Sequence, residues 1–334
     1  MKAYITGSGT QVPEQSIANE EIAERLGLEA EQIFKSSGIR RRRWAEKGTT
    51  TSSLAASALR LALEDAKLKA EDVDYLLFGT MTPDRFIPGS SPSVQKALVL
   101  REIPCLDIRA ACCNALYALQ LAGALVTSGV ARHVAICLAE IQSAYLDLSP
   151  EAGTTSMLFG DGASAIIVSN EKSEGALEIL DIHLATDGTY VDDLGMRCPG
   201  TEFGTTRSLD AKEHATDYSA RMVGQSVILQ ASRKIVAACN TVLQRNNLAA
   251  TEVRWMVPHQ ANANLLAQVA RGLKFPTAEG GVISVLEDYG NTSSASMGIA
   301  LDSLRRSGRI QSGDRLLLPA FGAGFTWGAG LCVA

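Results

Sequence analysis

The sequence predicts an α/β fold built from two similar halves. Three observations carry that expectation. Helix-period and strand-like runs alternate along the chain. The stretch 58–78, ALRLALEDAKLKAEDVDYLLF, recurs as 238–258, ACNTVLQRNNLAATEVRWMVP. The stretch 110–129, AACCNALYALQLAGALVTSG, recurs as 289–308, YGNTSSASMGIALDSLRRSG.

Each element follows in order. MKAYITGSGTQVP reads as a strand and a glycine turn. In the first repeated pair, a helix, a polar break and a strand follow one another. Leu68 matches Leu248, Ala70 matches Ala250, Val73 matches Val253, Tyr75 matches Trp255, and Asp72 stands against Glu252. In the second pair each helix opens on small residues and closes on Ser-Gly, a usual helix stop. Strands are expected at HVAICLAE and DRLLLPAFG, and glycine-turn hairpins at SMLFGDGASAIIVS and FGAGFTWGAGLCVA. The halves are bounded as 1–174 and 226–334, with 175–225 a loop-rich insertion, rich in Gly, Thr and Asp, near the substrate pocket. No low-complexity linker separates the halves, so they are expected to pack closely.

Composition narrows the function. The 334 residues are 46% hydrophobic, enough for real cores. A net charge of −5 gives no general affinity for nucleic acid or anionic membranes. No apolar run reaches membrane-spanning length, and the start lacks a signal-peptide stretch. A cytoplasmic setting is expected. The seven cysteines, odd in number and without a CxxC pair, argue against a disulfide framework or a structural zinc site. No metal and no cofactor are expected.

Cys112 and Cys113 stand where an apolar strand gives way to a helix. A helix start offers free N–H groups and partial positive charge, which stabilise a thiolate and hold an oxyanion. Cys112 is therefore a candidate nucleophile, with Cys113 read as packing. The overlay of the halves sets Cys112 on Asn291 and predicts that the two helix starts meet near a pseudo-twofold. Of four histidines, His133 reads as a short polar connection, His183 as part of an apolar strand and His214 as part of the polar insertion. His259 sits past a strand end and before a helix, where α/β folds place functional groups. A helix-capping role for His259 and an N-cap role for Asn291 are the plain alternatives.

With Cys112, His259 and Asn291 together, the chain resembles the β-ketoacyl-ACP synthase III family of the thiolase superfamily. AACCNALYAL resembles that family's nucleophile segment, VPHQAN its histidine segment and YGNTSSAS its asparagine segment. LFGDGASA and FGAGFTWG resemble its glycine-rich hairpins, and SGIRRRRW its N-terminal arginine segment. The resemblance spans essentially the whole chain. It implies a five-layered α-β-α-β-α thiolase fold and a homodimer. It implies acylation of Cys112 by an acyl-CoA or acyl-carrier protein, then decarboxylative condensation with malonyl-carrier protein, promoted by His259 and Asn291. The main-chain N–H groups of Cys112 and Ala323 would form the oxyanion hole. Phe321 would wall the malonyl carboxylate, Asn114 would shape the acyl pocket floor, and Ile87 would reach the partner's acyl pocket.

The handle-binding surface departs from the family. Gln32 and Ala152 stand where relatives often carry a Trp and an Arg around adenine, and Asn264 where a basic residue is common. Arg40 is kept, and Arg271 falls one helix further on. The Arg40–Arg43 run is a candidate for a phosphopantetheine phosphate or an acidic carrier, or else a solvated face. Acyl transfer to an alcohol or amine without condensation is the second reading. A dinucleotide site is disfavoured because ITGSGTQVP lacks the following helix, and a catalytically dead homologue because the triad is kept.

Overall fold

The computed structural model describes residues 2–201, 215–276 and 281–334. The first half contributes β1 (Tyr4–Gln11), β2 (Tyr75–Gly79), β3 (Cys105–Ile108), β4 (His133–Glu140) and β5 (Gly162–Ser169). The second contributes β6 (Leu177–Thr186), β7 (Trp255–Met256), β8 (Gly281–Val282), β9 (Arg315–Gly322) and β10 (Thr326–Val333). Their spatial order is β3-β2-β4-β5-β1-β6-β10-β9-β7-β8. Each half thus places its third strand outermost, then its second, fourth, fifth and first. The parallel and antiparallel pairings repeat as well: β2 is parallel to β3 and β4, as β7 is to β8 and β9. The two halves of this ten-stranded sheet join where β1 meets β6, at Tyr4↔Glu178 and Ile5↔Leu177. The duplication read from the sequence is therefore visible in the topology.

Helices α1 (Thr51–Ala66), α2 (Asn114–Thr127), α3 (Gly224–Arg245), α4 (Ala263–Gly272) and α5 (Ser296–Arg306) build three layers around these sheets. Helix α1 starts at Thr50, whose side chain accepts from Ser53 N–H. It buries Leu54, Ala58, Leu59 and Ala62 against β4 and β5. It also lies so close to β1 that a Cβ on Gly7 would fall 2.4 Å from the Ala62 carbonyl oxygen. Only glycine permits that approach. Helices α2 and α5 fill the centre, where Leu116, Leu119, Leu301 and Leu304 meet Ile136, Ile166, Leu316 and Leu318. On the far face Leu317, Ala329 and Leu331 pack under α3 and α4. Strand β9 buries both faces, which explains its unbroken apolar run. The result is the α-β-α-β-α layering that the resemblance implies.

Small elements repeat too. Ala70–Asp72 and Ala250–Glu252 are 3-10 turns, closed by Lys69 N–H to Asp72 and Ala249 N–H to Glu252. The matches of residues 68–75 with 248–255 therefore hold.

Three expectations need correction. Leu177–Thr186, inside the stretch read as an insertion, is the ten-residue strand β6 of the second half. The rest of 175–225 holds short pieces, and His214, with the other residues of 202–214, lies outside the described residues. FGDGAS does not turn a hairpin: β5 pairs with β4 from Glu140↔Gly162 to His133↔Ser169, and residues 141–161 leave the sheet between them. FGAGFTW does, closing at Gly322↔Thr326. His133 opens β4 rather than lying in a connection.

The overlay of helix starts is also shifted. Ala111 and Ser293 each adopt φ 48°, and each opens a 3-10 turn, Ala111–Cys113 and Ser293–Ala295. Helices α2 and α5 follow directly. Cys112 is thus equivalent to Ser294, and Asn291 lies two residues before its own turn. The sequence match was misplaced because small residues run through both segments and give no side-chain landmark. The helix starts do meet, as predicted. No described helix is long and apolar enough to cross a membrane.

Candidate active site

Cys112, His259, Asn291, Phe321 and Ala323 line one cavity of about 210 Å³. It lies where the nucleophile turn, the β9–β10 hairpin and the Asn291 segment converge. Gly322 makes the convergence possible: a Cβ there would stand 2.8 Å from Cys112 N. The sequence places Ala323 directly after it, so the hairpin backbone and the Cys112 backbone face the same space.

Ser293 joins the parts. Its Oγ lies 3.5 Å from Cys112 Sγ. Its N–H donates to Asn291 Oδ1 at 2.9 Å. With Oδ1 engaged, the Asn291 amide group turns its NH₂ donors to other uses. Asn291 is itself fixed by backbone bonds, its N–H donating to the Leu158 carbonyl and its carbonyl accepting from Gly160 N–H.

His259 is buried, and its Nδ1 lies 2.7 Å from Ser296 Oγ. That hydroxyl oxygen also accepts from Gln260 N–H at 3.0 Å. Donation from the Ser296 hydroxyl to Nδ1 completes the chain and leaves the ring hydrogen on Nε2. Burial lowers the His259 pKa to about 4, against a smaller opposing effect of the Ser293 backbone. The ring is neutral at physiological pH and can donate one N–H without carrying charge.

The Cys112 thiol departs from expectation. Burial, reinforced by the Glu140 carboxylate, raises its pKa to about 11, although the Ser293 contact acts the other way. Desolvation is the largest influence on this thiol, which sits in the 3-10 turn Ala111–Cys113 just ahead of α2. The resting group is a thiol. Cys113 is wholly buried, and its Sγ donates to the Thr326 carbonyl at 3.3 Å, in keeping with a packing role.

Glu140 anchors the floor. Its buried carboxylate accepts from Ser294 Oγ at 2.6 Å, Thr82 Oγ1 at 2.8 Å and Met81 N–H at 3.1 Å. It ties a cavity-lining segment of the first half to the turn that carries Ser293. Burial raises its pKa.

Other sequence-predicted positions lie elsewhere. Asn114 is fully buried, and its Oδ1 accepts from Ala110 N–H at 2.7 Å. It closes the nucleophile turn rather than flooring the cavity. Ile87 is 78% exposed on the loop after β2 and does not line this chain's cavity. Asn264 donates to the Ser36 carbonyl at 2.9 Å and ties α4 to the short helix Ala30–Ser37. Arg271 is exposed and lines a separate groove with Lys274 and Phe275. Arg40 pairs with Glu287 at 2.6 Å and lies over Phe34, outside the cavity.

The arginine run is mostly structural. Arg42 is fully buried, donates to the carbonyls of Met157 and Ile17, and has its pKa lowered to about 10 by burial. Arg41 pairs with Asp288, and Arg43 donates to the Glu14 carbonyl. Sequence reasoning did not single out Ser293, Ser296 and Glu140, whose contacts hold the site, or Arg109, which lines the cavity. The serine-rich string after Asn291 was the available signal for the first two.

Comparison with known proteins agrees with this geometry. The family model described as 3-Oxoacyl-[acyl-carrier-protein (ACP)] synthase III matches residues 106–188, and that of its C-terminal part matches 243–333. The beta-ketoacyl-[acyl-carrier-protein] synthase III of Sphingopyxis alaskensis is 35% identical over 328 residues, covering 98% of each chain. That of Cereibacter sphaeroides is 36% identical over 332 residues, again covering 98% of each. Among solved structures, the Aquifex aeolicus synthase III superposes with a TM-score of 0.89 at 30% identity, covering 99% of this chain and 100% of that one. The priming beta-ketosynthase of the R1128 polyketide pathway gives 0.87 at 30%, covering 99% and 96%. With its two-half layered fold and its cysteine, histidine and asparagine on one cavity, the chain belongs to the 3-oxoacyl-[acyl-carrier-protein] synthase III family of the thiolase superfamily.

Proposed function

We propose that the chain joins an acyl group to a decarboxylating malonyl thioester, with Cys112 as nucleophile and His259 and Asn291 as hydrogen-bond donors. In the first step Cys112 Sγ bonds the acyl carbonyl carbon. The donor's C–S bond breaks, and its thiol leaves with the proton lost by Cys112. The N–H groups of Cys112 and Ala323 hold the oxyanion. In the second step the malonyl C–C bond breaks and CO₂ departs. The electron pair enters an enolate whose oxygen accepts from His259 Nε2–H and the Asn291 amide. The enolate carbon then bonds the acyl carbon, the Cys112 C–S bond breaks, its sulfur takes a proton from solvent to restore the thiol, and a 3-oxoacyl thioester is released.

The convergence of Cys112, His259 and Asn291 on one apolar cavity carries this reading. Phe321 is buried there, beside Phe325 at 4.8 Å, and supplies a dry wall that favours loss of charge as CO₂. A neutral His259 suits a donor that must not trap the malonyl carboxylate. Acyl transfer to an alcohol or amine without condensation is not favoured, since the full-length relatives are named as synthases of 3-oxoacyl products.

The donor is an acyl-CoA or an acyl-carrier protein, and the acceptor a malonyl-carrier protein. Two copies are expected to meet beside edge strand β3, where Phe86, Ile87, Val99 and Leu106 are exposed. Ile87 would then serve the partner's acyl pocket. The direct test supplies an acyl thioester, then malonyl-carrier protein, and follows CO₂ and product together. A stoichiometric 3-oxoacyl thioester supports the reading. Acylation without CO₂ release contradicts it.

A further inference from the structure

We infer that Arg109 selects an acyl donor with an anionic far end, so that the preferred group is a short ω-carboxyacyl chain rather than a plain alkanoyl one. This rests on the acylation of Cys112 proposed above. Arg109 directly follows β3, three residues before Cys112; it is exposed and lines the same cavity. Around it the first half supplies Met81, Thr82, Gln142, Tyr145 and Phe159. Among the described lining residues Arg109 alone carries charge, and none is acidic. Arg109 also makes no hydrogen bond or ion pair with any described residue. Its exposed guanidinium meets no acidic side chain among the described lining residues, which leaves its donors for a ligand. It offers a planar fork suited to a carboxylate, in a cavity that Gln142 and Tyr145 also line.

Two other anions fit less well. The phosphate of a phosphopantetheine arm stands a long extended chain away from the thioester. Arg109 instead lines the cavity that holds Cys112, beside the first-half residues Met81 and Thr82. The malonyl carboxylate must leave as CO₂, and a guanidinium pairing with it would stabilise the charge that has to be lost.

The experiment measures acylation of Cys112 by intact-protein mass spectrometry, with succinyl- and glutaryl-pantetheine against butyryl- and valeryl-pantetheine. Wild type is expected to favour the carboxylated donors by about tenfold or more, the range of a charge-assisted hydrogen bond. Arg109→Met should lower that ratio by about ten- to a hundredfold, and Arg109→Lys should keep part of it. The ratio within one sample is insensitive to the fraction folded. A wild-type preference for the uncharged donors overturns the inference while leaving the condensing function intact, as does a ratio unchanged in Arg109→Met. No adduct from any donor overturns the acylation reading and this inference with it.

Discussion

Ser293 Oγ lies 3.5 Å from Cys112 Sγ, so the hydroxyl that meets this sulfur comes from the other half of the chain. The same Ser293 orients Asn291 through its N–H. One serine therefore touches both Cys112, the group proposed for acylation, and Asn291, one of the two proposed for decarboxylation. Its contact is also the main influence that lowers the Cys112 pKa against burial.

Removing that contact should raise the thiol pKa further. In Ser293→Ala, alkylation of Cys112 by iodoacetamide is expected to slow by about two- to tenfold at fixed pH, the scale of one ordinary hydrogen bond. In wild type the alkylation rate should keep rising with pH toward about 11, the value burial imposes. A plateau near the ordinary thiol range, located by peptide mapping to Cys112, would show the thiolate to be stabilised in a way the geometry does not contain.

His259 should separate the half-reactions. His259→Ala is expected to accept an acyl group on Cys112 and to lose malonyl decarboxylation by about a hundredfold or more, the usual cost of removing an oriented donor at developing charge. Isotope-labelled malonyl thioester and CO₂ trapping measure the second step. Undiminished CO₂ release would remove His259 from that step.

The same residue makes stability depend on pH. The His259 ring titrates at 6.5 unperturbed and at about 4 when buried. Between these values the unfolded chain binds a proton that the folded chain does not, so stability falls as pH falls through that window. The full loss is about 3 kcal/mol. Glu140 and Asp161, raised by burial, act with the opposite sign above the ordinary carboxylate range. The difference between wild type and His259→Gln isolates the histidine. Urea unfolding at pH 7 and pH 4.5 should show wild type losing more stability than the variant, and equal losses would contradict the buried neutral ring.

The donor handle follows from what the surface lacks. Gln32 is exposed and offers no ring, and Ala152 offers no charge. Trp44 donates to the Phe159 carbonyl at 3.4 Å, and Arg40 to Arg43 are engaged in ion pairs and backbone contacts. CoA thioesters are therefore expected to show a higher KM than carrier-protein thioesters and no advantage over pantetheine thioesters. The double change Gln32→Trp with Ala152→Arg should lower KM for CoA donors with kcat little changed, because the contacts lie far from the reacting carbonyl. A wild-type enzyme that strongly prefers CoA over pantetheine donors would overturn this.

Much of this was legible in the sequence, for stated physical reasons. Repeated helix–turn–strand units carry periodicity, so the two halves and the strands His133–Glu140 and Arg315–Gly322 could be read directly. Cys112, His259 and Asn291 stood at strand ends and helix starts, where reactive groups recur. What could not be read depends on contacts distant in sequence. The burial that raises the Cys112 pKa and the Ser293 bridge arise only when the halves meet. Asn114 reads as a pocket residue from its neighbour, yet a 2.7 Å bond to Ala110 N–H turns it into the core. Four consecutive arginines look like a surface patch until Arg42 is seen wholly buried.

The central claim is that Cys112 carries the acyl group. The most direct measurement is peptide mapping of the intact enzyme after brief exposure to an acyl-pantetheine donor, alongside Cys112→Ser and Cys113→Ser. The account predicts one added acyl mass on Cys112, absent in Cys112→Ser and kept in Cys113→Ser. An adduct on Cys113, or one that survives in Cys112→Ser, would contradict it.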